Sequence, residues 1–217
     1  NLGSWRIKWY LERYHGISIS ESSVYRILKR FGIGRLYKKA QKRSLHSKRY
    51  NKNTPGHHVQ IDVKVAMMKD SQNKAIKRFQ YTAVDDATRI RALQIYCQQN
   101  QNNAIEFVNY VVQKFPFRIK AIRTDCGHEF QAKFHWHVED LGMEHHYNKP
   151  GTPQLNGKVE RSHLTDQREF YQLLSYKDDV DLKQKLSTWE NFYNFERPHG
   201  AHEGKTPYEI LKEKLTD

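Results

Sequence analysis

The chain has 217 residues, 37% hydrophobic and 12% aromatic, with two cysteines and a net charge of +13. That is enough for one ordinary domain and a small second one, while no apolar run reaches the roughly 18 residues needed to span a bilayer and no cysteine framework or C-x-x-C zinc pair exists. Residues 1–54 carry 14 Lys/Arg and two acids, a balance of +12, against 23 and 22 over residues 55–217, and a cationic excess crowded into one quarter of a chain marks a nucleic-acid-binding segment, with an acidic protein partner as the plainer alternative.

No charged-then-apolar leader stands at the start, and the first residue is Asn, so the sequence reads as an excerpt of a longer chain. Over residues 5–14, Ile7, Tyr10, Leu11 and Tyr14 form the i, i+3, i+4, i+7 stripe of a helix that Gly16 ends. Ser20 is placed to cap a second helix with Val24, Ile27, Leu28 and Phe31 on its inner face and Gly32 closing it. Residues 1–34 thus read as a helix-turn-helix. The second helix turns Ser22, Ser23, Tyr25, Arg26, Lys29 and Arg30 outward, the first of these toward base edges and the later cations toward phosphates. A plain helical hairpin with a solvated basic face has the same periodicity.

Residues 35–54 hold Arg35, Lys38, Lys39, Lys42, Arg43, Lys48, Arg49 and Lys52 and no acid. They read as a basic linker that tracks a DNA backbone and supplies salt-dependent affinity. Thr54-Pro55-Gly56 marks a boundary, and residues 55–217 form the main domain.

Strands are predicted at 58–68, 79–85, 90–97, 117–124 and near 144–148, and helices at 102–115, 131–141, from the Pro150–Pro153 loop to about 174, and at about 179–195. A three-stranded meander followed by alternating strands and helices gives an α/β fold with a mixed five-stranded sheet flanked by helices. The low cysteine count points to a reducing, cytosolic setting. Cys97 reads as a buried thiol and Cys126 as structural or as a neighbour of a metal ligand.

Three carboxylates stand out by their setting. Asp62 lies in the apolar run His58–Val63, where an unpaired charge is costly. Asp125 ends the run Ile122–Asp125 before Gly127, and Glu160 follows Asn156-Gly157, which permits close backbone approach. Two strand-borne aspartates and a helix-borne glutamate suit two hard divalent cations about 3.5–4 Å apart, the arrangement that drives an in-line displacement at phosphorus. Asp62 is the candidate bridge between the metals.

The motifs Ile61-Asp62, Val84-Asp85-Asp86-Ala87-Thr88-Arg89, Arg123-Thr124-Asp125-Cys126-Gly127-His128-Glu129-Phe130, Pro150–Arg161 and Tyr193-Asn194-Phe195-Glu196-Arg197-Pro198-His199 with Thr206-Pro207 resemble the transposases of bacterial insertion sequences that share a catalytic core with retroviral integrases. The likeness covers residues 57–210, and residues 1–45 resemble the second helix-turn-helix of such transposases. It implies a ribonuclease H-like core and an Asp62-Asp125-Glu160 triad holding Mg²⁺ or Mn²⁺. It implies nicking at element ends and direct attack of the freed 3′-hydroxyl on target DNA. It also implies double-stranded DNA as partner and a homo-oligomer on that DNA, in bacterial-type cytoplasm at the nucleoid.

The chain departs from the family pattern in three places. Cys126 stands where Asn is common, the Asp125–Glu160 spacing is one residue shorter than in many relatives, and Gln167 replaces a basic residue two turns beyond Glu160.

Lys158 and Arg161 flank the glutamate as candidate phosphate contacts, equally readable as a solvated helix face. Asn156 and Gly157 shape the loop beside the DNA end. His128 and Glu129 read as neighbours of the metal centre or as structural. Asp85 and Asp86 are expected to cap their turn and pair with Arg89. Trp189, Phe192, Tyr193 and Phe195 read as helix packing. His145 and His146 point to opposite faces of a strand and make a poor metal pair. Two other functional classes stay open: a non-catalytic, transposase-derived DNA-binding protein or repressor, and a hydrolase of RNA–DNA hybrids.

Overall fold

The longest apolar-rich run, beginning at His58, forms the central strand of the sheet. The computed structural model describes residues 3–33, 53–69, 75–148 and 156–216. Lys38, Lys39, Lys42 and Arg43 of the predicted linker and the Pro150–Pro153 loop lie outside the described residues.

β1 (Val59–Lys69) pairs antiparallel along its length with β2 (Ala75–Asp85), which pairs antiparallel with β3 (Arg91–Tyr96). On the other side of β1, β4 (Ala121–Thr124) runs parallel to it, and β5 (Glu144–Tyr147) runs parallel to β4. The order β3-β2-β1-β4-β5 is the mixed five-stranded sheet expected from the sequence. The helices are α1 (Ser4–His15), α2 (Glu21–Arg30), α3 (Gln101–Lys114), α4 (Lys133–Asp140), α5 (Gly157–Glu169), α6 (Asp179–Phe195) and α7 (Pro207–Thr216).

Strand alternation sorts the side chains of β1. Val59 and Ile61 join Tyr81, Phe107, Val111 and Phe134 in the main core under α3 and α4. Gln60, Asp62 and Lys64 point the other way, toward α5. On that second face Leu93, Ile95, Leu182, Leu186 and Trp189 form a smaller core with α6. Beside it lies a buried polar layer that includes Gln60, Gln80, Thr82, Arg91 and Asp166.

The outer edge of β3 is finished by side chains. Asn194 accepts from Arg91 N at 3.0 Å and donates to Arg91 O at 2.8 Å, and Glu190 accepts from Leu93 N at 2.5 Å. These bonds occupy main-chain groups that would otherwise template another strand.

The N-terminal helices have the predicted caps. Ser20 Oγ accepts from Ser23 N at 3.1 Å, and Gly16 and Gly32 take left-handed conformations at φ of 63° and 65°. Their packing differs from expectation. Val24 is buried, but Tyr14, Ile27 and Phe31 are 44%, 45% and 70% exposed. Two short helices cannot enclose a core of their own, and α1 packs on the main domain instead. Arg13 donates to both carboxylate oxygens of Glu209 at 2.8 and 2.7 Å, and the Tyr14 hydroxyl donates to Glu196 O at 2.6 Å. Gly204, at φ 96°, lies so close to Trp9 that a Cβ there would sit 2.8 Å from the indole.

The firmest tie runs through Glu169, the last residue of α5. It accepts from Arg197 Nε and Nη2 at 2.8 and 3.0 Å and also pairs with Arg6 of α1. Burial opposes the charge, yet the two guanidinium groups hold the carboxyl down at about 2. A depressed folded-state pKa gives stability that is present above the unfolded value near 4.5 and lost as pH falls toward 2. Glu169→Gln is therefore expected to cost about 3 kcal/mol at pH 7 and to flatten the acid limb of a thermal-melt profile. An unchanged acid limb would show that the pair does not hold α1 to the core.

Other boundaries also moved. The strand predicted from 117 begins at Ala121, and the helix predicted to 174 ends at Glu169, followed by a 3₁₀ turn at Tyr171–Leu173. Cys97, expected to be buried, is exposed, because it follows the last residue of β3 at the rim of the sheet. Cys126 is exposed as well.

Candidate active site

Asp62 projects from β1 with its side chain 19% exposed, and its Oδ1 accepts from Val63 N at 2.8 Å. Asp125 follows the last residue of β4. The parallel register sets Gln60 opposite Arg123, so two residues further on Asp62 and Asp125 stand abreast. Asp125 Oδ1 accepts from Gly127 N at 2.9 Å, which folds the chain back at the strand end. Glu160 occupies the first turn of α5, where its own N–H donates to Asn156 O at 3.0 Å.

These placements make the charges interact. Burial first, and then the charges of Asp125, Glu160 and Glu129, push the Asp62 carboxyl up to about 7 against the lowering effect of the Val63 N–H. His163, one turn along α5 from Glu160, has Nδ1 3.7 Å from Asp62 Oδ2, but burial pushes its own pKa down to about 4. It is neutral near pH 7 and does not offset the carboxylate.

Glu129 is buried at 2% exposure. Its Oε1 accepts from Gln99 Nε2 at 2.6 Å, and its carboxylate lies against Gly127, where a Cβ would come within 2.7 Å of it. A side chain at position 127 would displace the Glu129 carboxylate, whereas the backbone there, at φ −56°, is ordinary.

The start of α5 is tied to three elements. Gln60, on the strand that carries Asp62, accepts from Val159 N at 3.3 Å and donates to Asp86 Oδ1 at 2.8 Å. Lys158 Nζ donates to Asp86 O at 3.1 Å and lies 3.1 Å from Asp86 Oδ1. Asn148 Nδ2 donates to the buried Asn156 Oδ1 at 2.7 Å. Lys158 is thereby directed at Asp86 rather than along the solvated helix face, while Arg161 is exposed beside Glu160. Gly157, the first residue of α5, is exposed.

Asp85 caps its turn as expected, accepting from Thr88 N at 2.8 Å, Ala87 N at 3.1 Å and Gly56 N at 2.9 Å. Arg89 donates to the main-chain carbonyl of Asp86. Lys64, two residues past Asp62, donates to Gln167 Oε1 at 2.7 Å, so a cation reaches the place where the sequence lacks a basic side chain. Gln60 and Lys64 were not anticipated. Their signal was the two-residue alternation around Asp62, which puts all three side chains on one face.

Among the described residues no three His, Cys, Asp or Glu side chains close around one point as a ready-made metal cage. The donor set nevertheless fits a hard divalent cation. All three candidate ligands are carboxylates, and Mg²⁺ typically takes one or two carboxylates plus water and substrate phosphate rather than an all-protein cage. The raised Asp62 also fits, since burial first and then repulsion from neighbouring acids raise it, and both are costs that a bound cation relieves.

In the N-terminal part Ser22, Tyr25, Arg26, Lys29 and Arg30 are exposed on α2 and Ser23 is half-buried. Among the described residues no helix is long and apolar enough to cross a membrane.

Residues 141–207 match the family model of the integrase core domain. A putative integrase of Spiroplasma virus SpV1-C74 is 30% identical over 152 residues, covering 62% of this chain and 42% of that protein, so the chain spans less than half the length of this relative. A chain of the simian T-cell lymphotropic virus intasome, solved in complex with PP2A regulatory subunit B56 gamma, superposes with a TM-score of 0.63 at 18% identity over 94% of this chain and 73% of that one. The catalytic core domain of BIV integrase gives 0.55 at 23% identity over 74% of this chain and 97% of its own. The HTLV-2 integrase catalytic core, solved with magnesium, gives 0.58 at 18% identity over 72% of this chain and 97% of its own. The fold is that of integrase catalytic cores, a ribonuclease H-like sheet with helices on both faces, preceded by an all-helical part.

Proposed function

We propose that this retroviral-integrase-like chain is a polynucleotidyl transferase of the Asp-Asp-Glu type, which nicks DNA at the ends of a mobile element and joins the freed 3′-hydroxyls to target DNA. The observation that carries the reading is geometric: the parallel register of β1 and β4 sets a largely buried Asp62 abreast of Asp125, and the bond from Val159 N to Gln60 holds the first turn of α5, with Glu160, against the same strand. Asp62, Asp125 and Glu160 are the residues that would hold Mg²⁺ or Mn²⁺. When bound, such ions activate the attacking oxygen and stabilise the leaving one.

The remaining work falls to the chain itself. Gln60 and Lys158 hold the start of α5, and with it Glu160, against β1 and the β2–β3 turn. Lys64 and Arg161 supply positive charge beside the carboxylates for a DNA phosphate. The N-terminal helices act as a helix-turn-helix, with Ser22, Ser23, Arg26, Lys29 and Arg30 against duplex DNA, and the basic linker follows the backbone. Joining two element ends to one target requires more than one active centre, so the working form is a homo-oligomer on DNA, at the nucleoid of a bacterial-type cell.

The test is cleavage and joining of branched DNA with Mn²⁺ or Mg²⁺, with Asp125→Asn as the control. Metal-dependent product that disappears in the variant supports the reading. DNA binding without product sinks it and leaves a non-catalytic DNA-binding protein. For the N-terminal part, Arg26→Ala with Arg30→Ala is expected to weaken binding to all duplexes alike. The slope of log K against log salt should also fall, by about 0.9 for each phosphate that is no longer neutralised. An unchanged slope would remove α2 from the DNA interface.

A further inference from the structure

Four side chains on α4, β5 and β4 form one line that ends at the main chain of Asp125. His145, 9% exposed, packs edge-on against Phe134 and lies 4.4 Å from the Tyr147 ring. Its Nε2 is 2.9 Å from Thr124 Oγ1, and its Nδ1 is 3.0 Å from His135 Nδ1. Thr124, fully buried, donates its hydroxyl to the carbonyl of Asp125 at 2.8 Å. His135 Nε2 in turn lies 3.4 Å from Glu139 Oε1 on the surface of α4.

The protons along this line follow from counting. Thr124 has a single hydroxyl proton, and a carbonyl can only accept, so that proton goes to Asp125 O. His145 Nε2 must then donate to Thr124 Oγ1. A neutral imidazole has one N–H, so His145 Nδ1 is the acceptor and His135 Nδ1 the donor. Burial, with the neighbouring His135 and His146, holds His145 down at about 4, which keeps it neutral.

We infer that His145 and His135 are positioning residues of the catalytic centre, a histidine relay that fixes the main chain of Asp125 through Thr124. The inference rests on the proposed role of Asp125 as a metal ligand. The relay ends at a carbonyl and carries no proton to the reaction. Its effect is geometric: β4 stops at Thr124, whose carbonyl accepts from Asn148 N at 2.8 Å, Asp125 is exposed beyond it, and the Thr124 hydroxyl carries the tether one residue further, to the carbonyl of Asp125.

The first test needs no activity. Long-range ¹H–¹⁵N spectra of the full chain at neutral pH are expected to show His145 protonated on Nε2 and His135 protonated on Nδ1. The opposite tautomer at His145 overturns the relay. The second test is Mn²⁺ titration followed calorimetrically on folded protein. His145→Gln keeps a donor at the Nε2 position and should retain binding. His145→Asn cannot reach Thr124 and should bind Mn²⁺ about 10- to 100-fold more weakly. Thr124→Val, close to isosteric, should show the same loss, and the double variant no more than either alone.

Equal binding by the Gln and Asn variants overturns the inference, as does additive loss in the double variant. If His145→Asn does not fold, Thr124→Val carries the measurement. If the parent protein binds no Mn²⁺, the reading of the triad fails instead. The carbonyl ¹³C shift of Asp125 in the metal-free Thr124→Val protein then decides the relay, an unchanged shift overturning it.

Discussion

Asp62→Asn is expected to lower metal-dependent strand cleavage by at least about 10³-fold while raising the melting temperature of the metal-free protein at pH 8. The two effects share one cause. The Asp62 carboxyl is largely buried and faces three other acids, which together with burial lift its pKa from 3.8 to about 7. Between those values the folded state binds a proton that the unfolded state has released, so stability falls as pH rises through that window. Above pH 7 the penalty is complete and amounts to a few kcal/mol. Below about pH 4 it vanishes.

Asparagine keeps an oxygen for the Val63 N–H and carries no charge, so it avoids the penalty at every pH. The variant's advantage in metal-free melts should therefore be greatest at pH 8, at roughly 2–4 °C per kcal/mol, and should shrink to nothing near pH 4. Added Mn²⁺ should stabilise the parent and not the variant. DNA binding should survive in Asp62→Asn, because α2 and the basic segment precede the carboxylates in the sequence and do not include them. Equal loss of binding would refute that division of labour, and a lower melting temperature at pH 8 would refute the account of the charges.

Much of this site was legible because its residues break local rules. Asp62 is a charge inside an apolar strand, and Asp125 a charge at the end of another. Glu160 stands just past a glycine-bearing loop. The alternation of β1 was equally legible, yet Gln60 and Lys64 went unread. Their partners Val159 and Gln167 lie about a hundred residues away, and nothing local announces them. Lys158 shows the same limit. Its position beside Glu160 suggested a phosphate contact or a solvated helix face, and only the fold brings it to Asp86.

Helical periodicity identified the apolar side of α2 but not whether anything covers it, so Ile27 and Phe31 were placed in a core that two helices cannot build. α7 is a different case, since its signal was present. Thr206 Oγ1 accepts from Glu209 N at 3.2 Å and Glu209 Oε2 accepts from Thr206 N at 2.8 Å. This is the capping box that Thr206-Pro207-Tyr208-Glu209 spells, with proline at the first helical position.

The largest stability effect is expected from the buried pair Arg91–Asp166, in which neither side chain is exposed. Asp166 Oδ1 accepts from Arg91 Nη1 at 2.6 Å and from Trp189 Nε1 at 2.7 Å, while Oδ2 accepts from Gln80 Nε2 at 2.7 Å. The guanidinium also donates to Ser162 Oγ at 3.0 Å and lies 3.5 Å from the Tyr193 ring centroid. Asp166→Asn leaves the guanidinium uncompensated between the sheet and α5, and should cost about 3–5 kcal/mol in chemical denaturation.

Replacing both partners, Arg91→Met with Asp166→Leu, removes the stranded charge and should recover part of that loss. Recovery stays incomplete because Trp189 Nε1–H loses the acceptor it has in Asp166 and Gln80 Nε2 keeps only Thr82 Oγ1. The double variant also separates stability from placement. Asp166 lies six residues beyond Glu160 on the same helix, and the pair fixes where α5 sits on the sheet. Apolar packing is less directional, so strand cleavage should fall by about 10²-fold even where the variant is folded. Activity that recovers in step with stability would mean that the pair holds the domain together without aiming Glu160.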